Sequence, residues 1–138
     1  MKVEEIRQEF FVPGPLPSMN EIINASSTVF KNGIRFGSKY SSLKKKWDKL
    51  ISEIILESDI KPVDTFKLEL NWYEKARRRD PDNIAVGIKF ILDSMVKCKV
   101  IVNDSWRYNL GWTNTFNISS SPGVKVTILS LHEHSIQE

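Results

Sequence analysis

The chain has 138 residues, 41% hydrophobic and 27% charged, with a formal net charge of +3. That is the composition of an ordinary globular domain long enough to bury its own core. A single cysteine, Cys98, excludes an internal disulfide, and no apolar run reaches signal-peptide length or the roughly 20 residues of a membrane span. A cytoplasmic single domain over residues 1–138, with no membrane partner, is the expectation.

The positive charge is unevenly placed. Residues 31–49 hold seven Lys or Arg against one Asp, and residues 75–79 hold four with no acid; the rest of the chain has nine basic residues against sixteen acidic ones. Such local concentration favours a polyanionic partner, because each neutralised phosphate releases counterions. For residues 44–49 alone, a solvated lysine face is the plainer reading.

In chain order, residues 3–12 predict a first strand, ended by Pro13-Gly14-Pro15, which cannot continue a ladder. Pro17-Ser18-Met19-Asn20 reads as a turn or loop. Asn32-Gly33 between the β-prone runs 28–31 and 34–36 predicts a two-stranded arm decorated by Lys31 and Arg35. From Tyr40 the spacing turns helical: Tyr40, Leu43, Trp47, Leu50, Ile51 and Ile54 form one stripe, with Lys45, Lys46 and Lys49 away from it. That predicts a helix over about 40–57.

Phe66, Leu68, Leu70 and Trp72 alternate with polar residues as in a half-buried strand. The strand leads to Arg77-Arg78-Arg79-Asp80-Pro81-Asp82-Asn83. Asp80 and Pro81 suit the cap and first position of a helix expected over about 81–97. Val100-Ile101-Val102 predicts a short strand ending at Asn103-Asp104-Ser105. A long strand from Tyr108 to Ile118, a turn at 119–123 and a last strand from Val124 predict a hairpin, with a frayed tail from about 132. The expected fold is α+β, a mixed or antiparallel sheet with two main helices packed on it.

Asp80 and Asp82 crowd against Lys75, Arg77, Arg78 and Arg79, whose mutual repulsion calls for something anionic nearby. If the strand before Asp104 lay beside the one that leads to Arg79, Asp104 would return to the same helix start. Three carboxylates there would offer the hard oxygen ligands that Mg²⁺ takes. Such ions activate water and stabilise charge on a phosphodiester under in-line displacement. Lys89, two turns from Asp82, could touch a phosphate oxygen. Each acid also has a local explanation: Asp80 as cap, Asp82 as complement to the helix dipole, Asp104 as turn residue. His132-Glu133-His134 reads as a solvated end, the four tryptophans as packing, and Trp106 with Tyr108 as a minor candidate for base stacking.

The run 77–83, with Lys89 and Asp93 in the next helix and Asn103-Asp104-Ser105 beyond, resembles the RusA family of Holliday-junction resolvases, including its phage-borne members. Pro17-Ser18-Met19-Asn20 resembles that family's N-terminal Pro-Ser-x-Asn element. The resemblance spans roughly residues 6–130. It implies a homodimeric, Mg²⁺-dependent endonuclease (Mn²⁺ being the alternative ion) that makes paired symmetric nicks in four-way DNA junctions. Asp80, Asp82 and Asp104 would be the catalytic metal-binding acids, assisted by Lys89. Arg77, Arg78, Arg79, Lys44, Lys45, Lys46, Lys31, Arg35 and Asn20 would contact DNA. Many members carry two consecutive acids where this chain has Asn103-Asp104, and some carry a Lys where it has Val86. These departures motivate the alternative of a junction-binding protein with a weakened or inactive site.

Overall fold

The computed structural model describes residues 2–26, 29–31, 34–36 and 39–134, with side chains described for 4–26 and 39–131. The described elements are β1 (Lys2–Pro13), α1 (Met19–Ser26), β2 (Val29–Lys31), β3 (Ile34–Phe36), α2 (Tyr40–Glu57), β4 (Phe66–Glu74), α3 (Pro81–Ala85), α4 (Ile88–Lys97), β5 (Asn109–Ile118) and β6 (Gly123–His134). The fold is α+β, as expected. A four-stranded mixed sheet in the order β1-β6-β4-β5 carries the helices on one face, and β2 and β3 form a separate antiparallel pair.

The sheet face under the helices is written in the strand alternation. Phe66, Leu68, Leu70 and Trp72 are each 1–2% exposed, and fully burying a side chain of this size is worth roughly 1.5–3 kcal/mol. Phe10 and Val12 of β1 and Val124, Val126 and Ile128 of β6 join them, roofed by Trp47, Ile51 and Ile55 of α2 and Phe90, Ile91 and Met95 of α4. A one-residue slip of β4 would turn that set to the outer face. The outer face is polar, with Arg7 bridging Glu5 and Glu69, and Lys125 paired with Glu9.

Five local expectations are corrected. Residues 17–20 open α1 rather than a loop: the Ser18 hydroxyl accepts from the Glu21 N–H (3.2 Å), while the Glu21 carboxylate accepts from the Ser18 N–H (3.3 Å). This reciprocal capping box is a local start signal, Ser-x-x-Glu, legible in the sequence. The expected helix 81–97 breaks at Val86-Gly87. Gly87 lies against Trp72 and Leu16, where a Cβ would meet the indole at 3.1 Å and Leu16 Cβ at 3.2 Å. Across the break the chain keeps i→i+3 bonds, with the Gly87 N–H donating to the Ile84 carbonyl and the Phe90 N–H to the Gly87 carbonyl.

Val100-Ile101-Val102 is not a strand. Val100 donates to the Met95 carbonyl and accepts from the Val63 N–H, closing the end of α4 over the start of β4. The last two strands do not form a hairpin with each other. β6 lies between β1 and β4, antiparallel to both, and β5 pairs with β4 in parallel. A parallel neighbour needs a crossover, which α3 and α4 supply. β6 extends to His134, beyond the start of the expected frayed tail.

Candidate active site and nucleic-acid interface

β4 ends at Glu74 and hands the chain to the basic loop 75–79, so everything the loop carries is set by the C-terminal edge of that strand. Arg79 is half-buried. Its Nε donates to Glu74 Oε1 (2.7 Å) and its Nη1 donates to the Leu16 carbonyl (2.8 Å). The guanidinium therefore ties the acidic turn to the segment entering α1, and α1 in turn packs against α3. Of the residues expected to contact DNA, Arg79 is held within the fold by these two bonds. Arg77 and Arg78 are exposed.

Asp80 occupies the cap position of α3 in extended conformation (φ −72°, ψ 152°), and its carbonyl accepts from the Ile84 N–H (3.1 Å). Its side chain makes no capping hydrogen bond. The exposed carboxylate is thus not spent on capping, and the carbonyl makes only the first intrahelical bond. Asp82, in the first turn, accepts from the Asn83 N–H (3.0 Å) through one carboxylate oxygen. A cleft of about 290 Å³ opens here, lined by Glu74, Arg77, Arg79, Asp80, Ile84 and the end of β5 at Phe116, Asn117 and Ile118. A second, more open cleft of about 520 Å³ lies against Lys75, Arg78, Gly14 and Pro122. Asn20 is exposed on the first turn of α1, and Lys89 is exposed on the first turn of α4.

Asp104 is exposed in the loop that precedes β5. The Ser105 carbonyl accepts from the N–H groups of Tyr108 and Asn109, which holds this loop at the first residue of the strand. Because β5 runs parallel to β4, with Phe66 opposite Asn109 and Glu74 opposite Ile118, that first residue lies at the far end of the sheet from Asp80. At about 3.3 Å per residue, the strand separates the two ends by roughly 26 Å. Within one chain the acids expected to converge do not. Among the described residues, no group of three or more His, Cys, Asp or Glu side chains is placed to hold a metal ion. The expectation fails because the strand after the helix runs parallel to β4, so Asp104 lies at its start and not at the end where Asp80 sits.

The lysines of α2 divide. Lys44 bonds both oxygens of Asp48 (3.1 Å) and, on α4, Asp93 (2.9 Å), while Lys97 approaches Asp48 at 3.6 Å. Burial works to lower the Lys44 pKa, but hydrogen bonds to Asp93 and Asp48 and their charges outweigh it, so the ammonium is held above its ordinary value. Lys44 thus fastens α2 to α4 through its two carboxylate partners. Lys45, Lys46 and Lys49 are exposed and line a groove with Lys97. The backbone of β2 and β3 forms the expected arm, pairing Phe30 with Arg35 and Lys31 with Ile34. The side chains of Lys31 and Arg35 lie outside the described residues, as do those of His132 and His134. No described helix is long and apolar enough to cross a membrane.

No family model matches the chain. No curated protein matches it either.

Proposed function

We propose that the protein is a Mg²⁺-dependent endonuclease, with Mn²⁺ as a substitute ion, that acts in the cytoplasm as a homodimer on four-way DNA junctions. The observation that carries this reading is the Asp80 carboxylate: it sits at a helix start, unspent on capping, in a cleft rimmed by Arg77 and beside an exposed basic loop. The resemblance of residues 77–83 and 103–105 to RusA-type resolvases supports it. The donor set suits a hard divalent cation, since Asp80 and Asp82 are exposed oxygen ligands one residue apart. When bound, such an ion lowers the pKa of water and offsets charge on a phosphodiester.

The third acid comes from a second copy in this reading. Asp104 is a sheet length away from Asp80 in its own chain, so a two-fold partner running antiparallel to β5 would carry its own Asp104 to this end. Each site is then shared, with Asp80 and Asp82 from one copy and Asp104 from the other. The exposed residues Arg77, Arg78, Lys45 and Lys46, with the arm, hold the DNA by its phosphates and read branch shape rather than sequence. Lys89, on the first turn of α4, faces solvent and can meet a phosphate oxygen.

The test is cleavage of a synthetic four-way junction with Mg²⁺. Wild type gives paired nicks, while Asp80→Asn and Asp104→Asn each bind and do not cut. Mixing those two variants reconstitutes one intact site per heterodimer and restores nicking of a single strand. Normal cutting by Asp80→Asn overturns the site assignment, and a silent mixture overturns the sharing. The separation of Asp104 from Asp80 within one chain also favours a second reading, junction binding without cleavage. Intact binding with no nicks in either Mg²⁺ or Mn²⁺ would select it.

A further inference from the structure

Strand β5 is the edge of the sheet, and among the described elements it is hydrogen-bonded on one side only, to β4. An open edge presents a row of unpaired N–H and C=O groups, and proteins ordinarily blunt it with charge, proline or short length. The opposite edge, β1, follows that rule with Glu4, Glu5, Arg7, Glu9 and Pro13. β5 breaks it: ten residues, Asn-Leu-Gly-Trp-Thr-Asn-Thr-Phe-Asn-Ile, contain no charge and no proline in a chain that is 27% charged.

The register explains what the edge presents. After an irregularity opposite Lys67, Trp112, Asn114, Phe116 and Ile118 stand beside Leu68, Leu70, Trp72 and Glu74, on the sheet face that carries the helices. Trp112 is 47% exposed, Phe116 39% and Ile118 54%. Asn114 is oriented by the Trp72 indole, which donates to its Oδ1 at 2.8 Å.

We infer that this edge is where two copies of the chain meet, β5 against β5, antiparallel about Asn114. The pattern is self-complementary in that register: Trp112 of each copy faces Phe116 of the other, and Asn114 faces itself. One isologous contact thus pairs aromatic with aromatic twice, the kind of cross-strand pair that stabilises sheets. It joins two four-stranded sheets into one of eight strands and removes both open edges.

The same register carries the second copy's loop 102–107 to the end of β5 that lines the Asp80 cleft. That loop bears two large apolar side chains left in solvent by their own chain, Val102 at 59% and Trp106 at 90% exposure. The inference deepens the proposed function by naming the surface through which the two copies assemble the shared site.

The test is hydrodynamic. By sedimentation equilibrium at micromolar concentration, wild type has twice the chain mass, and Trp112→Lys and Phe116→Glu each fall to one chain mass with circular dichroism unchanged. Mixed in equal amounts they regain the doubled mass, because the introduced ammonium then faces the introduced carboxylate while the wild-type aromatic pair survives on the other side. In a Cys98→Ser background, Asn114→Cys oxidises to a disulfide-linked dimer, since directly opposed residues lie within bridging distance, and Thr113→Cys does not. The inference is overturned by a monomeric wild type, by charge variants that remain dimeric, or by folded variants that fail to pair when mixed. Should either charge variant lose its fold, the Asn114→Cys cross-link decides. A dimer formed this way that never cuts DNA leaves the interface standing and removes the endonuclease reading. Cutting by a protein joined elsewhere does the reverse.

Discussion

The Arg79 guanidinium lies 2.7 Å from the Glu74 carboxylate and also donates to the Leu16 carbonyl. Both charged side chains are largely withdrawn from water, at 22% and 13% exposure. A basic residue at the end of the arginine run is thus a clamp between β4, the acidic turn and the entry to α1. Arg79→Ala should destabilise the fold by about 1.5–3 kcal/mol, the usual worth of a hydrogen bond to a charged group whose partner is then left unpaired. Urea denaturation measures it. Arg79→Lys should recover little, since one ammonium cannot reproduce the two-pronged contact.

Arg77 and Arg78 should behave oppositely. Both are exposed, so alanine at either position should change stability by less than about 0.5 kcal/mol. Junction affinity should fall, and the slope of log affinity against log salt should drop by roughly one per arginine if each meets a phosphate. Titrations at several salt concentrations separate the two kinds of arginine.

Lys44 offers a pH test. Its pKa is raised in the folded state relative to an ordinary value of 10.5. A cation so raised contributes its stabilisation fully below the unfolded value and loses it as pH climbs through the higher folded one. Wild-type stability should therefore decline above about pH 10.5 more steeply than that of Lys44→Met. The variant should be weaker by about 1–3 kcal/mol at neutral pH, because Asp48 and Asp93 lose a shared partner and keep only Lys97 near Asp48. Thermal melts across that range provide the comparison.

Two glycines test close packing. Gly123 has φ +153°, and a Cβ there would overlap the Val12 carbonyl and lie 2.6 Å from the Phe11 ring. Gly123→Ala should cost about 2 kcal/mol or more, combining backbone strain with overpacking. Gly87→Ala is milder because its φ of −58° suits any residue. The added methyl presses on the buried Trp72 and Leu16, so a loss of about 1 kcal/mol is expected against the small entropic gain that alanine brings.

Much of the fold was legible because its cause is local. The α2 stripe predicts Tyr40–Glu57 as found, and the alternation Phe66 to Trp72 predicts the buried face of β4, since helix and strand periods show directly in residue spacing. The Ser18-Glu21 capping box was equally local and was obscured by the Pro13 to Pro17 run before it. The breaking of the helix at Gly87 was not legible, because it depends on Trp72 and Leu16, which are distant along the chain.

By itself, the sequence determined which residues are apolar, which are charged, and where each helix or strand can exist. It also marked Asp80, Asp82 and Asp104 as the acids worth following. Only the tertiary structure decided their relation, through the insertion of β6 between β1 and β4 and the parallel alignment of β5. Strand direction and order are set by which nonlocal pairings bury the most surface and satisfy the backbone, and alternation within a strand is the same for either direction. That choice sends Asp104 to the opposite end of the sheet from Asp80 and leaves an uncharged edge exposed.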